Sequence, residues 1–195
     1  MKFLKFFSQR RCPMVVRYRI NYAKAIETVL WLVGQKPNLD IYHIGKAIFY
    51  AEKCHLNKYA RPIIGDSYQK GSFGPCPSTI RDIIHQKSKW LSPDELQQAT
   101  DALEIINTPY PTPIPKRPPE LDAFSGTDIE CLKEALDFVG EMSFNQLKEM
   151  SHEEESFLNA IEDDNLDYEL LIDENNPIKN EVINEMRETN RYVCV

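Results

Sequence analysis

The side chains able to do chemistry in this sequence are four histidines, His43, His55, His85 and His152, and five cysteines at positions 12, 54, 76, 131 and 194. A zinc site needs closely spaced ligands, as in HExxH or in CxxC followed by HxxxH, and neither pattern occurs. Cys54 and His55 set a thiol beside an imidazole. Neighbours on a helix point about 100° apart, however, so they form no catalytic pair. Gly71-Ser72-Phe73-Gly74 has the outline of a phosphate-cradling loop, yet no lysine follows it and Pro75 lacks the amide a phosphate would use. No GxSxG is present. An odd number of widely spaced cysteines without CxxC fits free thiols in a reducing compartment, with Cys54 and Cys131 as small buried hydrophobes. These residues predict no catalysis, no metal and no cofactor. The least poor enzymatic reading is a hydrolase using Cys54 or Cys76 beside a histidine.

The elements that would position these groups are helices. In the stretch 40–57, Ile41, Ile44, Ile48, Ala51 and Cys54 recur at steps of three and four and share a face. His43, Lys46, Lys53 and Asn57 fall on the other side. Tyr42, Phe49 and Tyr50 widen the apolar surface beyond one stripe, which predicts a helix packed on more than one side. Asp40 is its N-cap, and Arg61-Pro62 ends it. An earlier helix is predicted over 22–33 and stops at Gly34. Residues 62–73 read as a short β-hairpin turning at Gly65-Asp66. Gly74-Pro75 then breaks the chain before a helix carrying Ile80, Ile83 and Ile84.

Ser92-Pro93-Asp94-Glu95 is a capping box with proline in the first turn, predicting a helix to Leu103 or Ile105. Residues 108–119 hold six prolines in twelve positions and read as an extended connector. Further capping boxes are predicted at Thr127, Ser143 and Ser151, and a last helix over 178–191. The fold class expected is therefore mainly α, one helical domain over 20–162, with a short hairpin and the proline-rich connector. A basic N-terminal arm over 1–19 and an acidic extension over 163–195 flank it.

The net charge is −7, and its distribution says more than its value. Residues 1–19 carry six bases and no acid, whereas 153–174 carry ten acids and no base. An acidic chain is a poor general binder of nucleic acid, so such contact is expected only weakly and through the arm. The arm admits a start at Met1 or at Met14. Lys5 interrupts its apolar stretch and no small-residue cleavage site follows, so a cytoplasmic location without export is expected. No apolar run approaches bilayer length.

The order of parts resembles a known family. The helix IGKAIFYAEKCHL, the segment RPIIGDSY, the break GSFGPCPSTIRDII and the later FSGTDIECLKEALDFVGEMSFNQLKEMSHEEESF are similar to the SocA-type antitoxin domain, also called Panacea. The resemblance spans roughly residues 25–158. Cys76, where relatives mostly carry a small aliphatic residue, and Phe157, where tryptophan is common, depart from the pattern. The resemblance implies a phage-associated or other toxin–antitoxin protein that neutralises a cognate toxin by direct contact, without catalysis. The alternative it carries is an adaptor for a cytosolic protease, or an interaction module of a mobile element without its own toxin. Tyr50, Asp66, Gly74, Pro75 and His152 lie in the matched motifs, as structural or partner-facing residues. Gly65-Asp66 and Gly74-Pro75 also have an ordinary reading as turn chemistry, and His152 one as a docking hydrogen bond for the C-terminal helices. Tyr59, Tyr68, Phe73 and Trp90 are the partner-contact candidates, being of the types that dominate binding energy, with at most two expected to be exposed. The acidic stretch 153–174 is a second candidate surface, able to cover a basic toxin by mimicking phosphate charge.

Overall fold

The computed structural model describes residues 16–87, 91–107, 109–161 and 165–191. Its elements are, in order, α1 (Tyr22–Gln35), α2 (Ile41–Tyr59), β1 (Tyr68–Gly71), β2 (Gly74–Pro77), α3 (Ser78–His85), α4 (Pro93–Ala102), β3 (Leu103–Asn107), β4 (Pro111–Pro115), α5 (Gly126–Val139), α6 (Phe144–His152), α7 (Glu155–Asn159) and α8 (Lys179–Arg191). The fold is mainly α, as the periodicity predicts. The strands form two separate antiparallel hairpins.

Helix α2 is the axis of the molecule. Ile44, Ala47, Ile48 and Ala51 enter a core built with α1, α3, α4 and α5. Phe49 and Leu56 enter a second core, with Val16, Tyr68 and the C-terminal residues Leu171, Ile172, Val182 and Met186. A helix covered on both sides has no solvated face. Lys46, which the periodicity places on the polar side, is 2% exposed. Asp40 caps α2 as expected, accepting from the His43 amide, and Ala60 ends it in the left-handed region at φ 56°.

The first hairpin corrects the expected one. It lies at 68–77, with Ser72-Phe73 at the tip and Gly71 opposite Gly74. Gly65 does turn the chain, at φ +74°, but its segment is held by a side chain instead of a strand. The Glu52 carboxylate accepts from the amides of Ile63, Ile64 and Gly65 at 2.8–2.9 Å. Amides bonded in this way are not available to a ladder. Asp66 next reaches forward, accepting from the amides of Ser67, Thr79 and Ile80. Since Pro77 at the N-cap of α3 provides no side-chain acceptor, this carboxylate caps α3 from eleven residues upstream.

The proline-rich connector is also corrected, because part of it is strand. Prolines 111, 113 and 115 recur with period two, which leaves the amides of Thr112 and Ile114 on one edge. That edge pairs with Leu103–Asn107, so α4 stops at Ala102, short of the expected Leu103 or Ile105. Two capping boxes also shift. Ser125 with Asp128 caps α5 in place of Thr127, and Ser151 lies inside α6. The boxes at Ser92 and Ser143 form as predicted.

Candidate functional site

Two glycines bring the first hairpin against the helices. A Cβ on Gly45 of α2 would lie 3.3 Å from the Pro77 ring, so β2 rests almost on the helix backbone. A Cβ on Gly74, at φ +94°, would lie 2.5 Å from Lys46 Nζ and overlap Ser151 Oγ of α6. The hairpin, α2 and α3 together line an open cavity of about 420 Å³.

Lys46 lies at the inner end of this cavity. Its Nζ donates to the Pro75 carbonyl at 3.1 Å and sits 5.2 Å from the centroid of the Tyr42 ring. Among the described residues no carboxylate is within ion-pair distance of it. Burial pushes its ammonium down to about 7, because the charged form has lost its water. Lys70 and Arg81 line the walls. Arg81 donates to Gln69 Oε1 at 3.3 Å, and Lys70 to the Ala160 carbonyl at 2.8 Å. Asp40 at the edge is already engaged, its carboxylate 2.8 Å from His43 Nδ1.

The rim is aromatic. Tyr42 lies against Phe144 with centroids 4.3 Å apart, and Phe73 meets Phe144 edge-on at 5.4 Å. Tyr42 Oη donates to the Phe73 carbonyl at 3.1 Å, which fixes the hairpin tip. Phe73 is 55% exposed and Tyr110 59%. Rings half in water, packed edge to edge around a concavity, are the usual raw material of a protein-binding surface.

Of the residues singled out from sequence, Phe73, Gly74 and Pro75 meet at this cavity. Tyr68 does not. It is 1% exposed and belongs to the second core, so it corrects the partner-contact set. Tyr59 is 37% exposed at the far end of α2, where its Oη donates to Glu130 at 3.1 Å. Tyr50 packs edge-on against Phe49 and Phe138. Asp66 is buried in its capping role, and Trp90 lies outside the described residues. His152 stacks on Phe157 at 4.4 Å, and Lys70 Nζ lies 4.9 Å from the other ring's centroid, that of Phe157. Desolvation and the nearby lysines hold His152 below its ordinary value.

The sequence reading missed Lys46, Tyr42, Arg81 and Phe144 as lining residues. The excess of aromatics on α2 was the available signal. Most of the described acids of 153–174 are engaged within the fold. Glu154 and Asp173 pair with Lys53, Glu169 with Arg187 and Glu174 with Lys179. That stretch offers less free charge than its composition suggests.

The three described thiols are not set up as nucleophiles. Cys54 Sγ faces Cys131 Sγ at 3.0 Å and Glu134 at 3.4 Å. Cys76 lies beside Arg81 and Lys46, and burial pushes its thiol up in spite of those cations. The described residues include no cluster of potential metal ligands and no helix long and apolar enough to cross a membrane.

The family model described as Antitoxin SocA-like, Panacea domain, matches residues 44–157, more than half of the chain. The chain belongs to that family. No curated protein and no solved structure matches it. The Panacea match covers α2 through most of α7, and with them Lys46, Phe73, Phe144 and the hairpin that roofs the cavity. Membership in an antitoxin-like family points to a protein as the class of partner.

Proposed function

We propose that this chain is an antitoxin that binds and neutralises a cognate toxin protein by direct contact, without catalysis, in the cytoplasm. The observation that carries this reading is the ring cluster of exposed Phe73 and Phe144 with half-buried Tyr42 at the cavity, which exposed Tyr110 also lines, placed mostly on the family-matched body. Apolar rings of this kind are desolvated when a partner covers them, and a few such anchors dominate binding. Phe73 sits on a hairpin packed against α2 and α6, and Tyr42 and Phe144 sit on those helices, so little ordering entropy is lost on binding.

The test is co-expression with the product of an adjacent reading frame. The expected result is that a neighbour toxic alone becomes tolerated and is retained on the tagged chain. Phe73→Ala with Phe144→Ala should weaken retention at least about tenfold. A neighbour that disappears from the cell in the chain's presence, and returns when a cytosolic protease is deleted, would favour the adaptor reading. If no neighbour is toxic and none is retained, the antitoxin reading fails.

A further inference from the structure

We propose that the cavity is a receptor for an acidic segment of the partner protein, which seats an aspartate or glutamate carboxylate on Lys46 with apolar side chains against the aromatic rim. This rests on the reading above that the partner is a protein, and it adds the chemistry by which that partner is recognised.

Lys46 carries the argument. It is 2% exposed and has one hydrogen bond for three donors. Buried charges in proteins are paired or coordinate something, because an unpaired one is costly. Within the described residues this one has the Pro75 carbonyl and the face of the Tyr42 ring but no carboxylate, and burial weakens its hold on the proton. A carboxylate entering the cavity would take up the free donors and restore the charged form.

The surroundings select the sign and shape of the occupant. In a chain of net charge −7, the walls present Lys70 and Arg81, the latter also 3.5 Å from the Asp82 carboxylate, while Asp40 is taken by His43. The lining lacks the array of backbone amides that phosphate needs, since Pro75 and Pro77 have none. A strand of nucleic acid would require cations tracking along an open groove. The cavity of about 420 Å³ instead suits two or three side chains of a peptide. Its rings, Tyr42, Phe73 and Phe144, give apolar neighbours of the carboxylate a dry surface.

The test follows amide shifts of the ¹⁵N-labelled full chain with two synthetic pentapeptides, acetyl-Gly-Phe-Asp-Phe-Gly-amide and its asparagine counterpart. The aspartate peptide should bind saturably, move the Gly45 and Gly74 amides, and bind about tenfold more tightly than the asparagine peptide. Lys46→Met should abolish the difference, and Arg81→Gln, on the more exposed wall, should reduce it severalfold. Equal affinity for the two peptides, shifts that map elsewhere, or tighter binding of free 3-phenylpropionate than of the peptide would each overturn the proposal. The two readings can fail separately. Selective peptide binding with no toxin retained leaves the receptor and removes the antitoxin. A toxin retained equally well by Lys46→Met and Arg81→Gln does the reverse.

Discussion

Lys46 on α2 reaches across to β2 and donates to the carbonyl of Pro75 at 3.1 Å, with the bare Cα of Gly74 beside its ammonium. A buried cation is thus held against a hairpin by one backbone oxygen, and both sit under exposed rings. The charge is costly to the fold, so its removal should help stability while harming recognition. Lys46→Met is expected to raise the unfolding free energy by about 1–2 kcal/mol in urea titration. The same variant should retain less partner. A variant that is less stable and binds normally would show that Lys46 is structural.

Gly74 is where the hairpin, α2 and α6 come closest. Gly74→Ala adds a Cβ against Lys46 Nζ and Ser151 Oγ, in a backbone conformation at φ +94° that alanine resists. The expected loss is about 1–3 kcal/mol by urea or thermal unfolding. Adding Ser151→Gly should recover only part of it, because the backbone strain remains. Full recovery would mean that the conformation of Gly74 costs alanine little.

His43 joins the start of α2 to the loop between α5 and α6, and should make stability depend on pH. Nδ1 lies 2.8 Å from Asp40 Oδ1 and Nε2 lies 3.0 Å from the Met142 carbonyl. Two acceptors are best met by an imidazolium, and the hydrogen bond to Asp40 raises its pKa, with Lys36 opposing. A raised folded-state pKa gives stability that is complete below the ordinary histidine value near 6.5 and is lost as pH rises through the folded value. The difference between wild type and His43→Gln should therefore shrink as pH rises above about 6.5. It should stay below about 1 kcal/mol, since the pair is partly exposed. A difference constant from pH 5.5 to 8.5 would contradict the assignment.

Asp66 caps α3 from outside the helix. Asp66→Asn puts an amide donor against the three backbone amides it now accepts from. The expected cost is about 2–3 kcal/mol, with faster hydrogen exchange at Thr79 and Ile80. Because Ile80 lines the cavity, peptide or partner binding should weaken with it. Unchanged exchange at both amides would show that α3 does not depend on this cap.

Much of the fold could be read from local pattern. The spacing of Ile41, Ile44, Ile48 and Ala51 places α2, Asp40 caps it, and Ser92 and Ser143 start their helices, because these signals act within one or two turns. Where the reading failed, a distant group had outbid a local one. Thr127 lost the cap to Ser125, whose partner Asp128 also pairs with Lys24 of α1 at 2.6 Å. The hairpin moved from Gly65 to Ser72-Phe73 because Glu52, eleven to thirteen residues upstream, had taken the amides of 63–65. Prolines 111, 113 and 115 became part of a strand because their period of two fits a neighbour, Leu103–Asn107, whose position no local rule could supply.

The candidate site divides in the same way. By itself the sequence determined a mainly helical body, the glycines that turn or break the chain, and membership in an antitoxin-like family. Only the tertiary structure decided that Tyr68 lies in the core, that Phe73 is half in water, and that Lys46 is buried under a hairpin with no acid among the described residues in ion-pair reach. The reason is that helical periodicity records which side of a helix is apolar, whereas burial depends on what the rest of the chain lays over the other side.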